Sequence, residues 1–174
     1  MNFNKTIFKY EKSSRILIYG IGNPARQDDA LGIVFVEKLQ EWVKIEQLPN
    51  ISFDSNYQLN IEDAYDVSKK DIVVFIDASV EPIEDFHFRQ IFPEASMSIS
   101  NHSMRPESVL SLCAELYAKK PLAFLLTIKG FSWVLASAIT DRANRNLSSA
   151  VDFTKSLLKH SDSLIARGRK QQWI

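Results

Sequence analysis

The sequence predicts an α/β fold: a three-layer αβα sandwich around a mainly parallel, partly mixed central sheet. Three observations lead there. Short, nearly continuous apolar runs ("RILIYG", "DIVVFIDAS", "LAFLLTIKG") read as strands buried on both faces. Amphipathic stretches at helical spacing alternate with them, as crossover helices do between parallel strands. At 174 residues the chain is long enough for one well-cored domain and short for two.

Taken in order, "RILIYG" is the first strand and runs into "GIGNPARQDDALG", a tight loop. Leu31 to Ile45 follows as a helix, with Leu31, Val34, Phe35, Leu39 and Trp42 on one face and Glu37, Lys38 and Glu41 on the other. "ISF" at Ile51 to Phe53 is a second short strand, and Asn60 with Asp63 caps a helix carrying Ile61, Ala64, Tyr65 and Val67. "DIVVFIDAS" places Asp77 at the carboxyl end of a central parallel strand. "FHFRQI" alternates, Phe86 and Phe88 inward and His87 outward, which is the pattern of an edge strand or hairpin. Pro106 to Ala118 is a helix with proline in its first turn and Val109, Leu110, Cys113, Leu116 and Tyr117 at core spacing. After "LAFLLTIKG", Thr140 starts a last helix through Leu157 and Leu158. Residues 161–174 show no period and are expected to fray. The whole reads as a single domain over 1–174 with its core at about 15–160.

Composition narrows the function. Lys and Arg number 21 and Asp and Glu 21, so the net charge of zero argues against a general nucleic-acid binder. Cys113 is the single cysteine, which excludes an internal disulfide and a multi-thiolate zinc site and fits a cytoplasmic location. No apolar run approaches the length needed to span a bilayer, so no membrane association is expected. "GIGN" after a strand invites a nucleotide, but the third glycine of the dinucleotide fingerprint is replaced by Ala25, and Asp28 and Asp29 would repel phosphate. No nucleotide is expected.

Ligands of such folds gather beyond the carboxyl ends of the strands. Three loops there carry suggestive side chains: Asp28 and Asp29 after the first strand, Asp77 after the central one, and His102 in "SNHSMRP". Helix capping accounts for one aspartate of the adjacent pair better than for two, because neighbouring carboxylates repel unless solvent or a cation separates them. Asp77 alone fits a strand-end residue bonded to loop backbone, and His102 alone fits an exposed loop histidine. His87 reads as the polar face of its strand and His160 as a helix C-terminal cation. Gly20 and Gly22 let the first loop turn sharply, and Asn23 is expected to brace it through side-chain bonds to backbone. Cys113 sits at a core position and no serine lies in a Gly-x-Ser-x-Gly elbow, which disfavours a covalent nucleophile.

Together these residues resemble the hydrogenase maturation protease family, endopeptidases that trim the C-terminal extension of the large subunit of nickel-iron hydrogenases. "GIGNPARQDDALG" fits the family signature Gly-x-Gly-Asn-x-x-x-x-Asp-(Asp/Glu)-x-x-Gly at every fixed position, "VVFIDAS" its central aspartate, and "NHSMRPESVLSLC" its histidine ahead of a proline-started helix. The resemblance covers nearly the whole chain. It implies that Asp29, Asp77 and His102 bind metal, that the metal is nickel supplied by the substrate, and that the partner is a hydrogenase large-subunit precursor. Asp28, Asp29 and Asp77 form the expected catalytic set, with Asp28 or Asp77 as general base for water attack. A nickel-recognising chaperone or docking module that does not cut is the alternative. Gln27 and Ala30 stand where many family members have glycine, and both positions accept a Cβ if the local φ is negative, which reads as variation. "FSWVLASA" lacks an acidic residue that family members often carry there.

Overall fold

The computed structural model describes residues 13–94 and 104–159. Its strands are β1 (Ile16–Ile21), β2 (Ile51–Asn56), β3 (Ile72–Ser79), β4 (Phe86–Ile91) and β5 (Leu122–Lys129). The helices are α1 (Leu31–Ile45), α2 (Asp63–Ser68), α3 (Pro106–Tyr117) and α4 (Asp141–Lys159), and a 3-10 turn at Gln27–Ala30 leads into α1.

The strands form one five-stranded sheet in the order β2-β1-β3-β5-β4. The first four are parallel, and β4 closes the edge antiparallel to β5, which makes the sheet mixed. Strand alternation sends successive residues to opposite faces and so creates two cores. On one face Ile18, Val74, Ile76, Phe124 and Leu126 pack with Phe35 and Leu39 of α1 and Leu147 and Val151 of α4. On the other, Leu17, Tyr19, Val73, Phe75 and Ala123 pack with Val67 of α2 and Val109, Leu110 and Cys113 of α3. This is the expected three-layer sandwich. Phe75 and Phe124 are both fully buried, and truncating such a side chain to alanine costs about 3–5 kcal/mol.

Some periodic apolar residues are not buried. The helix expected from Ile61 begins at Asp63, and Ile61 and Tyr65 are 55% and 52% exposed. Asp63 acts there by accepting the Asn60 N–H (2.6 Å) and the buried Tyr19 hydroxyl (2.9 Å), which ties the start of α2 to β1. Leu116 is 57% exposed in the last turn of α3, which stops at Tyr117 with Ala118 in the left-handed region (φ +51°). Helical spacing marked Ile61, Tyr65 and Leu116 as core, yet each is left exposed. Among the described residues no helix is long and apolar enough to cross a membrane. His160 and the tail 161–174 lie outside the described residues.

Candidate functional site

The site grows from the loop after β1. Gly22 has φ +141°, and a Cβ there would collide with the backbone carbonyl of Asp29, so only glycine fits. The Gly22 N–H continues the sheet by donating to Asn56 O (3.1 Å). Asn23 braces the loop as expected: its Oδ1 accepts the Ala25 N–H (2.9 Å), while its own N–H donates to Asp29 Oδ2 (3.3 Å). Half-buried Asp29 is thereby held at the mouth of a cleft that opens over the carboxyl ends of β1 and β3.

Asp28 goes the other way. Its carboxylate is fully buried and accepts the N–H groups of Phe131 (2.8 Å), Ser132 (3.1 Å) and Thr140 (2.7 Å) and the Thr140 hydroxyl (2.9 Å). Four donors occupy its acceptor positions, and it does not line the cleft. This placement departs from the expectation of Asp28 as general base: it clamps the loop between β5 and α4 to the start of α1. At Gln27 the condition for an easily accepted Cβ is not met, since its φ is +47°. Glycine would hold this left-handed backbone freely, and Gln27 adopts it at some strain. Ala30 sits at φ −73°, where a Cβ is accepted without strain.

Asp77 extends the face of Val73 and Phe75 and lines the cleft, to which Pro106 and Glu107 at the start of α3 also contribute. Its Oδ1 accepts the Ala78 N–H (2.8 Å). Burial pushes its carboxyl up to about 7, the charge of Asp29 adds to the rise, and the Ala78 bond partly opposes it. A carboxyl poised near neutrality beside a second carboxylate is suited to accepting a proton from water or to sharing a cation. On the far wall Arg89 pairs with Glu107 (3.0 Å), and Arg105 lies 3.5 Å from Glu94 and 3.9 Å from Glu107. An antiparallel bridge between Leu59 and Met104 closes one side.

His87 is the residue that sequence reasoning passed over. In the sheet register Asp77 is opposite Thr127 and Thr127 is opposite His87, so the three form one row across β3, β5 and β4, all lining the cleft. Alternation correctly put His87 on the face opposite Phe86 and Phe88; that face is roofed by α3 lower down but open here. His102 lies outside the described residues. Among the described residues no group of three His, Cys, Asp or Glu side chains could hold a metal ion. Cys113 is buried, donates to Ala64 O (3.2 Å) and is pushed up to about 11 by burial, so it is no nucleophile.

Solved structures share this architecture. The [NiFe] hydrogenase maturation protease HycI from Thermococcus kodakarensis KOD1 superposes with a TM-score of 0.68 at 25% identity, over 88% of this chain and 97% of that one. Its fold is that of the hydrogenase maturation proteases. The maturating endopeptidase HybD from E. coli gives a TM-score of 0.67 at 19% identity, covering 84% of this chain and 93% of that one. The hydrogenase 2 maturation peptidase from Thaumarchaeota archaeon SCGC_AB-539-E09 gives 0.60 at 16%, covering 83% and 98%. The sequence matches no protein-family model and no curated protein.

Proposed function

We propose that this chain is an endopeptidase that removes the C-terminal extension of a nickel-iron hydrogenase large subunit after nickel insertion. The observation that carries the reading is the cleft itself: Asp29, from the turn before α1, and Asp77, near the end of β3, line one opening at the carboxyl end of the sheet in a fold shared with maturation proteases. Asp29, Asp77 and, by the sequence resemblance, His102 engage the nickel of the substrate. Two carboxylates and an imidazole suit a borderline divalent ion, and three ligands leave positions for the substrate's own donors. Bound nickel would supply orientation of the tail. Asp77 then takes the proton of the attacking water, a role that falls to it because Asp28 is fully occupied in the loop clamp.

The test is processing of nickel-loaded large-subunit precursor by the purified protein, read as intact mass. Loss of a C-terminal peptide with wild type and none with Asp29→Asn or Asp77→Asn supports the reading. A stable complex with unchanged substrate mass favours a docking module, and cleavage that survives the Asp29→Asn/Asp77→Asn double variant sinks the assignment of the site.

A further inference from the structure

We propose that His87 is a further catalytic residue of this cleft, the proton donor to the leaving amine; the inference rests on the endopeptidase reading. Three features of the structure converge on it. First, His87 shares a row with Asp77 and Thr127 on the open face of the sheet, and all three line the cleft. Second, two strand spacings of about 4.8 Å put the Cα atoms of Asp77 and His87 about 10 Å apart. That spacing leaves room for a peptide bond between the two side chains. Third, Arg89, the next residue on the same face, is engaged by Glu107, whereas no hydrogen bond or ion pair engages the His87 imidazole among the described residues.

The step balances as follows. Water oxygen bonds to the scissile carbonyl carbon while the Asp77 carboxylate accepts a water proton. The C–N bond then breaks, its electron pair stays on nitrogen, and the His87 imidazolium gives that nitrogen a proton. Solvent returns the proton from Asp77 to His87, so one water is consumed and one carboxyl and one amine end are released. Acid assistance is needed because an amide expels a poor leaving group. Thr127, between the two, offers a hydroxyl to the peptide in transit.

An ester in place of the scissile amide isolates this role, because an alkoxide leaves with far less help from an acid. Nickel-loaded large-subunit precursor is prepared with the scissile amide or with an α-hydroxy acid at the residue after the cut, and both are processed by wild type, His87→Gln and His87→Ala. Circular dichroism confirms that the variants are folded. The expected result is a loss of roughly 100-fold or more on the amide for both variants, the scale of general acid catalysis, and a loss under about 10-fold on the ester. Equal losses on both substrates, or no loss on the amide, overturn the role of His87 while leaving the endopeptidase reading intact. Wild type that cleaves neither substrate overturns both.

Discussion

Thr140 donates both its backbone N–H (2.7 Å) and its hydroxyl (2.9 Å) to the carboxylate of Asp28, 112 residues earlier in the chain. Phe131 and Ser132 add two more N–H donors, so the segment between β5 and α4 is pinned to the loop that presents Asp29. The neighbouring aspartates therefore divide the work: Asp28 organises two loops, and Asp29 faces the cleft. Asp28→Asn places an NH2 where only donors point, leaving buried N–H groups unpaired at about 1–3 kcal/mol each. Urea denaturation should show Asp28→Asn losing at least about 2 kcal/mol, while Asp29→Asn, half-exposed with one long bond, stays within about 1 kcal/mol of wild type. Equal losses would remove the division of roles.

Gln27 and Gly22 make a matched pair of backbone tests. At φ +47° Gln27 holds a conformation that costs a non-glycine residue about 1 kcal/mol, and its side chain returns one long bond, Val134 N–H to Oε1 at 3.3 Å. Gln27→Gly should leave the melting temperature unchanged or raise it by a few degrees, the greater unfolded-state freedom of glycine limiting the gain. Gly22→Ala must fail in the opposite direction, because φ +141° and the Asp29 carbonyl together exclude a Cβ. A melting temperature for Gly22→Ala within a degree of wild type would show that the loop is not held as described.

Much of this architecture was legible along the chain, and its limits have physical causes. Helix α1 and strand β4 fall where periodicity put them, because each contacts the core along one uninterrupted face. Leu116 and Tyr65 are exposed although they sit at core spacing, because periodicity marks an apolar stripe but not how much of it a neighbouring element covers. The direction of Asp28 depends on donors more than 100 residues away, which no local pattern encodes. His87 was placed on the correct face; what alternation could not show is that α3 leaves that face open at this level. A polar residue on an edge strand in register with a strand-end aspartate is the signal that would have found it.

The hydroxyl of Tyr19 is buried and spends its proton on Asp63, whose second oxygen accepts the Asn60 N–H. Burial and the Asp63 carboxylate both push the phenol pKa up, so no ionisation enters near neutrality. Tyr19→Phe deletes the donor and leaves a carboxylate with one bond fewer, a loss of about 1–2 kcal/mol. Chemical denaturation should show that loss, and processing should remain near wild type because this pair lies on the β1–α2 side of the sheet and not in the cleft.

Asp77 gives the pH dependence its sign. Its folded pKa of about 7 stands above the ordinary value of 3.8, so between these limits the folded protein holds a proton that the unfolded chain has released. Stability then falls as pH rises through this window, and above about 7 the folded state carries the full cost of a buried carboxylate facing Asp29. The usual gain of paired carboxylates with rising pH is reversed at this position. Asp77→Asn keeps the shape, removes the charge, and should raise the melting temperature of the metal-free protein at pH 8 by several degrees, with little change at pH 4. Melting curves of wild type and variant from pH 4 to 8 measure it directly: the two should converge at the acid end and separate as Asp77 ionises. Parallel curves would mean that Asp77 ionises as freely as an exposed aspartate, and the proton-accepting role in the cleft would lose its physical basis.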